Sequence, residues 1–144
     1  MEKDRDGQSK TTVTKYKRKA LEYIKDRHKA KELWKEASKK TNSEKGRIQT
    51  FRDQLLLLLD AYHDWISGEY RQIPYKTLTM IVVGILYFVV PTDVIPDIFI
   101  GVGLIDDAAI IAFIFKQIEK DLNQYKIWKS NETSIQETNP NSTL

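Results

Sequence analysis

Tyr87-Phe-Val-Val-Pro-Thr-Asp-Val-Ile-Pro-Asp97 is the stretch on which the fold turns. Pro91 and Pro96 stop helical propagation, because proline lacks the N–H and clashes with the preceding turn. Asp93 and Asp97 are short acceptors suited to capping N–H groups exposed in such a turn. Gly101 and Gly103 follow, and a further helix is expected from near Leu104. Asp106 and Asp107 fall in its first turn, where the helix dipole favours negative charge. An apolar segment enters the stretch and another leaves it. The pattern predicts a helical hairpin with a Pro/Asp-rich turn.

The incoming helix is expected from Pro74 or Tyr75 to about Val90. Proline costs little in a first turn, since that N–H has no partner anyway. Val82, Val83, Val89 and Val90 do not alternate with polar residues, so the segment reads as helix rather than strand. The outgoing helix places Leu104, Ala108, Ile111, Phe115, Ile118, Leu122 and Tyr125 three and four apart.

The incoming segment has the composition of a transmembrane helix but not the length. Thr77 to Thr92 is 16 residues without a charge, or about 24 Å of helix. The hydrocarbon core measures roughly 30 Å. Between Asp107 and Lys116 the outgoing helix offers eight uncharged residues. Extending it backward would bury two aspartates, at about 2.5–3.5 kcal/mol each. Two clean spans are not expected. The incoming helix is nevertheless apolar on every face, so it must be covered all round. With two further amphipathic helices to cover it, apolar surface should be left over. Shallow insertion in the cytoplasmic leaflet or self-association would cover that surface.

Upstream lies a helix expected to end near Ser67, with Gly68 closing it. Ile48, Phe51, Leu55, Leu58, Tyr62 and Trp65 form its stripe, and Thr41 or Ser43 is placed to cap its start. Adjacent residues on a helix point apart, so His63-Asp64 reads as a surface or interhelical bond rather than a catalytic pair.

Before it comes a basic amphipathic segment. Val13, Tyr16, Ala20, Tyr23, Ala30, Trp34 and Ala37 share one stripe, with Arg27 in a slot that should be apolar. Lys15, Lys17, Arg18, Lys19, Lys25 and Lys29 stand among the many cations around it. A solvated face is the plain reading. Contact with an anionic lipid surface is the functional one. Nucleic acid is not expected, since no recognised motif accompanies the charge.

Composition agrees with this asymmetry. Residues 1–54 hold 17 Lys/Arg against 9 Asp/Glu, a net of +8, while the remainder carries −5. Hydrophobic residues at 41% and charged residues at 30% are ordinary for a folded chain. Cysteine is absent, which excludes a disulfide framework and thiolate metal ligands. Residues 1–19 lack an apolar core, so no secretory signal peptide is expected. The organisation reads as a basic helical extension over 1–42, a helical domain over 43–128 and a disordered polar tail over 129–144. The fold class is all-α, a small bundle of about four helices around the apolar hairpin.

From about Tyr62 to Lys120 the chain resembles the YkvA-like family, domain of unknown function 1232. Gly68-Glu-Tyr-Arg71, Ile73-Pro74, Tyr87, Pro91-Thr-Asp-Val-Ile-Pro-Asp97 and Gly103-Leu-Ile-Asp-Asp107 carry the resemblance. Phe99-Ile-Gly101 stands where the family often has a proline. The resemblance covers less than half the chain. It implies a bacterial membrane-associated protein with no defined catalytic residue. Pro91, Asp93, Pro96, Asp97, Gly103, Asp106 and Asp107 carry over as signature positions.

The expected function is a non-catalytic interaction or scaffold module at the cytoplasmic face of a bacterial membrane, with its basic N-terminal part cytoplasmic. Anionic lipid, a second copy or another protein is the expected partner. Two alternatives stand beside it. Asp93, Asp97, Asp106 and Asp107 could bind Mg²⁺ or Ca²⁺ through oxygens. The chain could instead be a soluble oligomeric bundle. No cofactor is expected otherwise.

Overall fold

The computed structural model describes residues 2–46, 48–89 and 107–138. Five helices lie among them: α1 (Glu2–Lys25), α2 (Arg27–Ser43), α3 (Arg52–Ser67), α4 (Tyr75–Val89) and α5 (Asp107–Thr138). The fold is an all-α bundle. The Pro/Asp turn between α4 and α5 lies outside the described residues.

α4 is the centre. Its twelve residues from Thr77 to Phe88 are all buried. Each of the other four helices packs on it, and those four touch one another in the closed order α1–α2–α3–α5–α1. A ring of four amphipathic helices thus covers a helix that is apolar all round, as burial of such a helix demands. Among the described residues, α4 itself therefore leaves no apolar face over, where two partners were expected to leave one. Among the described residues, Tyr75 and Ile127 are the large apolar side chains that stand exposed.

The extra cover comes from a break in the basic segment. The stripe from Val13 to Ala37 predicts one helix; the structure has two. Asp26 sits in an extended conformation, and its carboxylate accepts hydrogen bonds from His28 N and Lys29 N at 3.0 and 3.2 Å. That is an N-cap. It starts α2 one residue after α1 ends. Arg27, which falls in the apolar slot, is exposed at this break. Breaking there lets both halves pack on α4 through Val13, Tyr16 and Ala20, then Ala30, Leu33 and Ala37, all buried. Residues 1–42, expected as an extension, supply two of the four ring helices. α1 also begins at Glu2, ahead of the expected start near Val13, and α5 runs to Thr138 through most of the expected tail.

The capping expectation for the next helix fails as well. Thr41 and Ser43 donate to carbonyls of their own helix, at Ala37 and Lys40. α3 starts later, at Arg52, after turns that bury Ile48 and Phe51. Its end is as expected: Gly68 takes φ 86°, the left-handed conformation that favours glycine at a helix C-terminus. Pro74 leads into α4 and its carbonyl accepts from Leu78 N at 2.9 Å.

Gly84 lets three helices close on one another. A Cβ there would lie 3.1 Å from Ile114 Cδ1 on α5 and 3.3 Å from Leu58 Cδ1 on α3. A side chain larger than that of alanine would press these helices apart.

Candidate functional site

The structure offers two features with chemistry: a basic outer surface on α1 and α2, and a buried carboxylate at Asp64.

The basic surface follows from the helical period. Opposite Val13, Tyr16 and Ala20, the residues Lys15, Arg18, Glu22 and Lys25 recur every three or four positions and are exposed. Lys31, Lys35 and Lys39 form the corresponding exposed row on α2. Lys17 is exposed at one side of α1's buried stripe, and Lys19 is half-buried at the other. Lys29 is exposed too, but it meets Glu22 across the α1–α2 junction at 3.7 Å. α1 and α2 are neighbours in the ring, so the two rows stand on adjacent helices.

Asp64 is different in kind. It is 3% exposed. Tyr125 Oη donates to its Oδ2 at 2.6 Å and Lys129 Nζ donates to the same oxygen at 2.9 Å. Burial pushes the Asp64 carboxyl up, but these bonds outweigh it and hold the group below its ordinary value. The same bond to Asp64 raises Lys129. Burial and the Asp64 carboxylate both push the Tyr125 hydroxyl up. His63 lies beside the group at 3.6 Å and stacks on Trp34, 4.7 Å between ring centres.

The backbone of Asp64 ties in the loop that follows. Its carbonyl accepts from Tyr70 N at 3.0 Å and from Ser67 Oγ at 3.2 Å. Tyr70 then packs edge-on against Tyr125 and tilted on Trp128. Arg71 lies over the Trp65 ring at 4.7 Å. The Gly68-Glu-Tyr-Arg71 segment is therefore a joint fastening α3 to α5. From sequence, His63-Asp64 reads as a surface or interhelical bond, and nothing there marks Asp64 as a buried junction. Its partners lie 61 and 65 residues away, beyond the reach of any local pattern.

The signature residues Pro91, Asp93, Pro96, Asp97, Gly103 and Asp106 lie outside the described residues. Asp107 opens α5, and its side chain lies outside them too. Among the described residues no group of three or more His, Cys, Asp or Glu is placed to hold a metal ion. Nor is any described helix long and apolar enough to cross a membrane.

Residues 77–113, from α4 into α5, match the family model described as protein of unknown function (DUF1232). Over that stretch the chain is similar to this family. It is also similar to the uncharacterized membrane protein YkvA of Bacillus subtilis (strain 168), at 46% identity over 66 residues. That match takes in 46% of this chain and 62% of the relative's length. No solved structure matches. The described part of that match covers most of the central helix and the first turns of α5, and none of the exposed basic rows on α1 and α2 lies within it.

Proposed function

We propose that this protein is a non-catalytic helical module that sits on the cytoplasmic face of a bacterial membrane and presents a surface there to a partner. The observation that carries the reading is the pair of exposed basic rows, Lys15, Arg18 and Lys25 on α1 with Lys31, Lys35 and Lys39 on α2. The similarity to YkvA of Bacillus subtilis, an uncharacterized membrane protein, supports it. With α4 enclosed by four helices, contact through the flank of the hairpin would require the ring to open. Contact through the basic rows requires no rearrangement. Anionic headgroups attract such rows by roughly 1 kcal/mol per cation near the surface, and salt screens the attraction.

The test is sedimentation with vesicles of phosphatidylglycerol and phosphatidylcholine, compared with phosphatidylcholine alone. The wild type should bind the anionic vesicles and come off as salt rises. The variant K15E/R18E/K31E/K35E removes four outward cations and leaves every buried residue in place. At about 1 kcal/mol each, its affinity for anionic vesicles should fall by about a thousandfold. Undiminished binding by a variant that melts like the wild type would refute the reading.

A further inference from the structure

α1, α4 and α5 do not meet flush near the start of α4. Between them lies a cavity of about 650 Å³, within the roughly 300–1,000 Å³ that ligand sites occupy. Its lining has two characters. Val13, Met80, Phe113 and Ile118 give it an apolar wall drawn from all three helices. Lys10, Lys17 and Lys76 line it as well. All three lysines are exposed, and a lysine can lay its apolar stem on such a wall while its ammonium group stays in water. Lys10 and Lys17 stand two helical turns apart on one side of α1, facing Lys76 in the first turn of α4. None of the three forms an ion pair among the described residues.

Asp121 is the carboxylate in this lining, and its Oδ2 accepts a hydrogen bond from the Thr77 hydroxyl. Three cations against one engaged carboxylate leave the mouth positive. The first turn of α4 adds to this, since Pro74 and Thr77 also line the cavity and the helix dipole is positive there.

We infer that this cavity binds one single-chain anionic amphiphile, with the tail against Val13, Met80 and Phe113 and a phosphate or carboxylate head among Lys10, Lys17 and Lys76. Each half of the ligand answers one half of the lining, so neither a free anion nor a neutral tail satisfies the site. A lysophospholipid and a free fatty acid share the required chemistry. The site is a recess between three helices that takes one ligand, unlike the outward basic rows, and it does not depend on the surface reading above.

Calorimetric titration of the full chain tests it, using lysophosphatidylglycerol, myristate, lysophosphatidylcholine and inorganic phosphate below micellar concentrations. One-to-one saturable binding is expected for the first two, and the tighter of them identifies the source. Lysophosphatidylcholine should bind at least tenfold more weakly, and inorganic phosphate should give no saturable heat. Lys76→Glu removes a head contact, and Gln117→Trp fills the cavity from an exposed lining position on α5. Each should weaken lysophosphatidylglycerol at least tenfold. Lys35→Glu, the same charge change on α2, should not. Should Gln117→Trp fail to fold, Thr14→Trp fills the site from the exposed side of α1. Equal affinity of the filled variant and the wild type, or of the anionic and zwitterionic lipids, would overturn the inference. Gln117→Trp should still sediment with anionic vesicles, so this proposal and the surface reading fail separately.

Discussion

Asp64 shows how much a single buried charge can organise. Its carboxylate joins α3 to α5, and its carbonyl holds Tyr70. Asp64→Ala leaves the Tyr125 hydroxyl without this acceptor and removes the carboxylate nearest Lys129. The expected loss is about 2–3 kcal/mol, since removing one partner of a buried bond exposes the desolvation cost of the other. Asp64→Asn keeps an acceptor and should lose roughly half of that. Chemical denaturation of both variants measures the ranking, and equal losses would show that charge matters and the acceptor does not. The pH dependence has a definite sign. The folded-state pKa of Asp64 is lowered, so its stabilisation is present above the ordinary carboxylate value of 3.8 and is lost as pH falls through the folded value. Lys129 and Tyr125 are raised, so their shares fade only at alkaline pH. The melting temperatures of wild type and Asp64→Asn should therefore differ most near neutrality and draw together as the solution is taken well below pH 3.8. Parallel curves down to pH 2 would contradict the assignment.

Elements were legible where the local signal was strong. The periodic stripes of α3 and α5, Gly68 at a C-terminus and Pro74 before a helix are properties of a few neighbouring residues. From Leu55 to Trp65 and from Ala108 to Tyr125 the stripes lie on helices as the pattern places them, and so do Gly68 and Pro74, whereas Ile48 and Phe51 fall in turns ahead of α3. The break at Asp26 was misread because the three-four spacing runs through it with a single fault at Arg27. An N-cap Asp competes with helix continuation, and here tertiary packing favours the cap: two short helices cover α4 better than one long one. Asp26→Ala should cost about 1 kcal/mol, read as a lower denaturation midpoint with unchanged slope. At Gly84 two effects oppose each other. Alanine gains about 1 kcal/mol in helix propensity but presses on Ile114 and Leu58. Gly84→Ala should be close to neutral, whereas Gly84→Val adds bulk that the three-helix contact cannot take and should cost about 1–3 kcal/mol. A stable valine variant would mean the contact is looser than drawn.

At the scale of the molecule, the all-α class and the apolar helix at its heart were readable from composition and period. How that helix is covered was not. Counting two amphipathic partners left apolar surface over; four partners in a closed ring leave α4 buried. The sequence could not reveal the ring, because it depends on which helices touch, and contacts such as Trp34 Nε1 to the Leu59 carbonyl or Tyr62 Oη to the Tyr23 carbonyl join distant positions. The basic surface survives the correction, with its role changed from an appended arm to the outer side of the fold itself. Deleting residues 1–25 should therefore do more than weaken binding to anionic vesicles. It should uncover the flank of α4 where Tyr16 meets Tyr87 edge-on at 5.8 Å. The truncated chain is expected to self-associate or bind neutral vesicles, measured by light scattering and sedimentation. A monodisperse monomer indifferent to neutral vesicles would show that α1 is dispensable to the core. The signature turn, the most distinctive stretch of the sequence, lies outside the described residues, and so do its expected roles.

One contact bears on the order in which such a molecule can be assembled. Lys40, near the end of α2, donates to the Val89 carbonyl in the last turn of α4 at 3.2 Å and lies over the Phe88 ring. Helix C-termini leave carbonyls without partners and carry negative potential, which a cation relieves. Here the cation comes from 49 positions earlier in the chain. The central helix can be completed in this way only after α2 has docked, so the most apolar element of the protein depends for its finish on one of the most basic. During synthesis α2 emerges first and must wait for α4. The latch then closes over a long loop, whose entropy cost grows only slowly with its length.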